Sequence, residues 1–191
     1  MSERTRLIVG ISGASGAVYG LRVLAALKEL GVESHLILSR AGAITAKFEL
    51  EIEADTIWEM ADFAYDVDDI GAAPASGSFK SLGMIIAPCS IKSLSEIAAG
   101  TTSSLLTRAA DVTLKERRRL VLMVRETPLH VGHLRSMLAV SEMGAVVAPP
   151  VPSFYAKPEN LSEMVDHTVG RALDLFGLDW RGVKRWSGIK N

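Results

Sequence analysis

A buried strand that runs directly into a turn of small residues constrains this chain more than any other stretch. Leu7-Ile8-Val9-Gly10-Ile11 is an apolar run, Ser12-Gly13-Ala14-Ser15-Gly16-Ala17 is built of small residues, and a helical pattern follows at once. A short apolar run bounded by a Gly/Ser turn reads as a strand covered on both faces. Leu21, Leu24, Leu27 and Leu30 repeat at spacing three within a helix over 17–30, and Gly31 supplies its C-terminal cap. Residues 32–38 form a second strand. Strand, helix and strand joined by short connections imply a right-handed parallel crossover. The turn also leaves backbone N–H groups free at a helix N-terminus, where the helix dipole favours an anion.

The alternation continues. Further strands are expected at 84–87, 120–124 and 145–148. Helices are expected at about 40–48, 54–61, 90–98, 103–117, 129–142 and 160–176, the last stopped by Gly177. Residues 64–82 read as a long loop, and Pro149, Pro150 and Pro152 enforce an extended segment. The whole is an α/β chain, a three-layer αβα sandwich with a mainly parallel sheet, in one domain over 1–191 with a C-terminal tail at 178–191.

Charge and cysteine content narrow the partners. The net charge of -1 gives no argument for nucleic acid or an anionic membrane, and Cys89 is the only cysteine, so no intramolecular disulfide can form. No apolar stretch is long enough to span a bilayer, and the N-terminal stretch lacks a signal-peptide pattern. The expectation is a cytoplasmic protein.

Ligands in such sheets bind beyond the carboxyl ends of the strands. Four of those ends carry small, polar or charged residues: Ser12 to Ser15, Ser39-Arg40, Cys89-Ser90 and Arg125-Glu126. Their coincidence points to one shared site. The first turn is neither a dinucleotide fingerprint, since serines stand where glycines are needed, nor a Walker A loop. Serine hydroxyls beside N–H donors suit a mononucleotide such as FMN at least as well. Ser39 and Ser90 read equally as helix N-caps or ligand contacts. Charge at the end of a buried strand is costly without a partner, which favours a site role for Arg125 and Glu126. Arg108 and Lys115 lie seven residues apart, on one side of a helix. Glu49, Glu51 and Glu53 alternate with Leu50 and Ile52, and pattern alone does not choose among them. Cys89 reads as a small buried hydrophobe before a nucleophile. His35, His130, His133 and His167 show no metal-binding spacing.

Together these stretches resemble the flavin prenyltransferase family, the UbiX/Pad-type proteins. The resemblance rests on Gly13-Ala14-Ser15-Gly16-Ala17, Pro74-Ala75-Ser76-Gly77-Ser78, Pro88-Cys89-Ser90, Arg108-Ala109-Ala110-Asp111-Val112 with Leu114-Lys115-Glu116, Arg125-Glu126-x-Pro128-Leu129, Phe154-Tyr155 and Arg185-Trp186, in the family's order. It implies a Rossmann-like fold and a homo-oligomer, a dodecamer built of trimers. It implies a reaction that joins the dimethylallyl group of dimethylallyl monophosphate to N5 and C6 of reduced FMN without a metal. The product, prenylated FMN, would serve a UbiD-type decarboxylase. By the same resemblance Gly13, Ala14, Ser15, Ser39, Ser90, Ile91, Lys92, Ser93 and Arg125 form the FMN site. Lys115, Arg125, Tyr155 and Arg171 clamp the prenyl phosphate between subunits, and Arg108 and Trp186 line the site. Ser15, Glu49, Glu126 and Lys115 are the catalytic set.

The chain departs from the family pattern at Leu50, Ser93, Gly132, Arg135 and Ser136. The departure at Leu50 leaves Glu51 open as an alternative to Glu49. The rival functions are an FMN-dependent cysteine decarboxylase, a non-catalytic FMN-binding subunit of a decarboxylase system, and an NAD-dependent oxidoreductase.

Overall fold

In a computed structural model of the protein, which describes residues 4–188, the apolar run becomes β1 (Arg6–Ile11), an interior strand of a six-stranded sheet. Beside it lie β2 (Glu33–Leu38), β3 (Phe63–Tyr65), β4 (Gly83–Cys89), β5 (Arg119–Val124) and β6 (Val146–Val147), in the order β3-β2-β1-β4-β5-β6. Every pairing is parallel. The chain winds outward from β1 through β2 to β3, then crosses back to β4 and winds the other way. This is the doubly wound arrangement, and the crevice where the order reverses lies between β1 and β4.

Helices α1 (Ala17–Leu30), α2 (Arg40–Leu50), α3 (Ala54–Glu59) and α7 (Leu161–Asp174) accompany one face, and α4 (Ile91–Ala98), α5 (Leu105–Lys115) and α6 (Val131–Glu142) the other. Period-two alternation divides the strands between two cores. Leu7, Val9 and Ile11 join Leu24, Leu27 and Val169, whereas Ile8 joins Met84, Ile86, Leu94 and Leu106. Both sides of the sheet are therefore dry, which explains the continuous apolar runs.

The expected helices and strands are present, with ends shifted by a few residues. One strand was not expected: β3 occupies Phe63–Tyr65, inside and just before the stretch read as loop. It is three residues long, lies at the sheet edge and is largely exposed, so it lacks the apolar signature of its neighbours. The tail expected at 178–191 is irregular as far as Gly188, and 189–191 lie outside the described residues. Trp180 anchors it, buried against the α1/α7 side, with Nε1 donating to Glu29 at 2.7 Å and Arg22 over its ring at 4.7 Å.

Candidate active site

The carboxyl ends of β1, β2 and β4 open on a cleft of about 410 Å³, lined by Ser12, Gly13, Ser39, Arg40, Asp68, Ser90, Lys92, Ser93, Ser103 and Ser104 among others. That size is in the range of small-molecule sites. Three helices begin on this cleft. Ser39 caps α2 by accepting from Gly42 N at 2.9 Å, Ser90 caps α4 by accepting from Ser93 N at 3.2 Å, and Ser104 caps α5 by accepting from Thr107 N at 3.4 Å. Ser39 and Ser90 are thus caps that also line the cleft. Each helix directs its remaining N-terminal N–H groups and the positive end of its dipole towards the cleft. Arg40, ion-paired with Asp68, and Lys92, paired with Glu96 at 3.6 Å, add two cations, each beside a carboxylate. Arg40 was legible only as part of the polar end of β2, and Asp68 and Ser104 were absent from the sequence-based site. Ser104-x-x-Thr107 carried the missing signal, because it is a capping box that fixes the start of α5.

Ser12 holds the floor of the cleft. Its hydroxyl donates to Pro88 O at 2.8 Å and accepts from Ser90 N at 2.7 Å, tying the ends of β1 and β4 together while fully buried. Gly13 is needed for packing: a Cβ there would meet the Ala41 Cβ at 2.4 Å, where α2 crosses the turn. Ala14 is buried beneath.

The anion cradle at the start of α1 is filled from within the chain. Glu49, on the last turn of α2, accepts from Gly16 N at 2.9 and 3.2 Å and from Ala17 N at 3.1 Å. Partial burial pushes its carboxyl up. The Ser15 hydroxyl, the two amides and the charge of Arg125 outweigh this and hold it below the ordinary glutamate value. Geometry sets Glu49 and Glu51 apart: only Glu49 reaches the α1 N-terminus. Glu51 is the left-handed cap of α2, with φ 57°, and faces solvent, so the apparent alternation of Glu49, Glu51 and Glu53 spans a helix end rather than a strand.

Arg125 and Glu126 follow β5, as expected, but both are exposed, so the argument from burial cost fails for the isolated chain. The backbone of Arg125 donates to Cys89 O at 3.1 Å, and Glu126 accepts from Thr127 N at 2.9 Å. Cys89 is wholly buried. Its thiol is pushed up to about 12 by the loss of solvent, which leaves no thiolate to act as a nucleophile.

Tyr155 and Trp186 pack edge to face, with ring centroids 5.8 Å apart, and the Tyr155 hydroxyl lies 3.4 Å from His167 Nε2. Arg171 lines a smaller cavity of about 130 Å³ with Met123, Ala148, Pro149, Val151 and Ser153, beside the end of β5. Lys115 is elsewhere. It ends α5, is ion-paired with Glu116, and leads into the amino end of β5, whereas Arg125 follows the carboxyl end. At ~3.3 Å per residue a six-residue strand separates these ends by about 20 Å. Arg108, paired with Asp111 at 2.8 Å, shares the α5 surface with Lys115. Neither residue lines the cleft of its own chain.

Among the described residues no group of three or more His, Cys, Asp or Glu could hold a metal ion, and no helix is long and apolar enough to cross a membrane.

Comparison with known proteins fixes the family. Residues 1–173 match the Flavoprotein family model. Flavin prenyltransferase UbiX of Escherichia coli K12 is 53% identical over 186 residues, covering 96% of this chain and 98% of the relative. A crystal structure of AnUbiX (PadA1) in complex with FMN and dimethylallyl pyrophosphate superposes with a TM-score of 0.97 at 46% identity, covering 98% of this chain and 100% of that one. The dodecameric FMN-dependent UbiX-like decarboxylase of Escherichia coli O157:H7 gives a TM-score of 0.94 at 46% identity, covering 96% of this chain and 100% of the other. The six-stranded parallel sheet with its cleft, the Ser15–Glu49 contact and this likeness over nearly the whole length lead to one conclusion: the chain belongs to the flavin prenyltransferase family.

Proposed function

We propose that the protein joins the dimethylallyl group of dimethylallyl monophosphate to N5 and C6 of reduced FMN, and that prenylated FMN then passes to a UbiD-type decarboxylase. The observation that carries this reading is the convergence of three capped helix N-termini, with Arg40 and Lys92, on one cleft beside Ser15, Glu49 and Arg125. Such a set fits a phosphate dianion at one end of the cleft. It also leaves the α1 N-terminus free to orient a catalytic carboxylate instead of a ligand.

The FMN phosphate is assigned to the Ser39–Arg40, Ser90–Ser93 and Ser104 region, with Gly13 and Ala14 against the flavin and Ser15 beside its reacting edge. Reduced FMN supplies the nucleophilic N5 and C6. When the allylic C–O bond breaks, the phosphate leaves as an anion and the prenyl group carries the positive charge. Arg125, Tyr155 and Arg171 receive the phosphate, since guanidinium forks match its oxygens. Lys115 and Arg108 complete the clamp from a neighbouring subunit, which is consistent with the distance between Lys115 and Arg125 along one chain. The N5–C bond forms with loss of the N5 proton, which the departing phosphate can take up, and ring closure then requires a proton to be removed at C6 and one to be supplied to the prenyl chain. Glu49, ionised at neutral pH and held by Ser15, Gly16 and Ala17, is the group for the removal, with Glu126 as a further proton carrier.

Ile44, Phe48, Leu134, Leu138 and Phe154 are large exposed apolar side chains, as befits subunit contacts in a homo-oligomer. For this protein a dodecamer built of trimers is the proposed assembly. The test is transfer of product. The protein is incubated anaerobically with reduced FMN and dimethylallyl monophosphate, and a protein-free filtrate is added to a UbiD-type apo-decarboxylase. Decarboxylation that depends on both substrates supports the reading. An inactive filtrate, alongside an active one from an established flavin prenyltransferase, refutes it.

A further inference from the structure

Asp174 is the last residue of α7, and its carboxylate takes two arginines at once. Arg171 Nη1, one turn back on the same helix, donates to Oδ2 at 2.6 Å. From the tail, Arg185 donates through Nη1 to Oδ2 at 3.0 Å and through Nη2 to Oδ1 at 2.8 Å. Asp174 is mostly buried under these contacts. Hydrogen bonds and charge from Arg185, opposed by some burial and joined by Arg171, hold its carboxyl below the ordinary aspartate value, so it is ionised. The Asp174 carboxylate therefore bridges two guanidiniums, of which Arg185 has a second carboxylate, Asp179, and Arg171 has none besides Asp174 among the described residues.

The two arginines lead to different parts of the site. A guanidinium is a rigid planar fork with donors on two edges. Asp174 holds Arg171 by one amino group, leaving its other donors towards the cavity formed with Met123, Ala148 and Ser153. Arg185 precedes Trp186, whose ring packs edge to face on Tyr155. Arg185 also pairs with Asp179 at 2.5 Å, and Lys184 with Glu163 at 3.0 Å, but among the described residues only Asp174, of the carboxylates that hold the tail, also holds a proposed phosphate ligand.

We propose that Asp174 is a positioning residue for prenyl phosphate binding: it aims Arg171 at the phosphate and, through Arg185, pins the tail so that Trp186 braces Tyr155. This rests on the reading that Arg171 and Tyr155 receive the phosphate. Arrival of the anion gives the free edge of Arg171 a second acceptor, and the doubly bonded Arg185 keeps the tail in place meanwhile. Asp174 touches neither substrate.

The test combines steady-state kinetics with hydrogen exchange on the FMN-loaded protein. Asp174→Asn should raise KM for dimethylallyl monophosphate about tenfold, the scale of one charge-assisted hydrogen bond, with kcat within about threefold. FMN affinity should be unchanged, and Asp174→Glu should recover part of the loss. In an Arg171→Met background, Asp174→Asn should raise KM by no more than the loss of tail pinning, which Arg185→Gln in that background measures. Residues 178–188 should exchange faster in both Asp174→Asn and Arg185→Gln. The proposal is overturned if Asp174→Asn leaves KM unchanged, if it weakens FMN binding instead, or if its full effect on KM persists without Arg171. Unchanged exchange of the tail in Arg185→Gln, which spares the Arg171–Asp174 pair, overturns the pinning. If the wild-type protein makes no prenylated flavin, the functional reading and the role of Arg171 fall together, and the exchange data still judge the tail.

Discussion

Replacing Glu49 by Gln probes the joint between fold and chemistry. In the wild-type protein the carboxylate accepts from Gly16 N and Ala17 N at the positive end of α1. Gln keeps the shape and one acceptor oxygen for Gly16 N and Ala17 N but loses the charge and sets its NH2 where the second oxygen accepted from Gly16 N. Hydrogen bonds to a charged group contribute about 1.5–3 kcal/mol, and a charge at a helix end about 0.3–1 kcal/mol. Glu49 is exposed enough for solvent screening to reduce both, which leaves about 1–2 kcal/mol in total. For a chain of this length that corresponds to a Tm lower by about 3–6 °C. The sign of the pH dependence follows from the depressed carboxyl value. The contribution is fully present above the unfolded-state pKa of about 4.3 and is lost as pH falls through the lower folded value. Thermal melts of both proteins between about pH 7 and pH 3 should therefore converge at the acid end. The Gln variant should still bind FMN, since the phosphate cradle lies on other helices, yet form prenylated flavin slowly. Equal melting temperatures at neutral pH, or a difference that does not change with pH, would refute the assigned contact.

Other consequences are independent of Glu49. Ser12→Ala removes the acceptor of the part-buried Ser90 amide, while the Pro88 carbonyl keeps the Ser12 N–H at 3.2 Å, and should cost about 1–3 kcal/mol in chemical denaturation, with weaker FMN binding. Gly13→Ala drives a methyl group into Ala41 and should destabilise by about 1–3 kcal/mol, seen as a lower denaturation midpoint. Cys89 should resist alkylation by iodoacetamide at pH 8 until the protein is unfolded, when mass spectrometry should find it modified. Inactive Lys115→Met and Arg125→Met proteins, mixed through a dissociation and reassembly cycle, should regain about a quarter of wild-type activity, because random assembly pairs an intact Lys115 with a neighbour's intact Arg125 at that frequency. No recovery would place Lys115 outside the shared site.

What could be read from sequence follows from where the signals are local. β1, its turn and α1 were legible because burial on both faces, a small-residue turn and a glycine cap all act within ~25 residues of chain. Ser39 and Ser90 were legible because capping chemistry is local, and the strand ends on which they stand share one side of the sheet. β3 was not, since a three-residue exposed edge strand is specified by pairing to His35, Leu36 and Ile37 rather than by its own pattern. The partner of the α1 N-terminus was also hidden. A carboxylate 33 residues away is delivered there by the packing of α2 on Gly13, which no periodicity encodes. Asp174 escaped notice because its meaning lies in joining a helix end to the tail.

The most direct measurement is the mass of the flavin recovered after anaerobic incubation of the protein with reduced FMN and dimethylallyl monophosphate. The account predicts a flavin heavier than FMN by one prenyl group, formed only when both substrates are present. Recovery of FMN at unchanged mass, under conditions where an established flavin prenyltransferase converts it, would contradict the account.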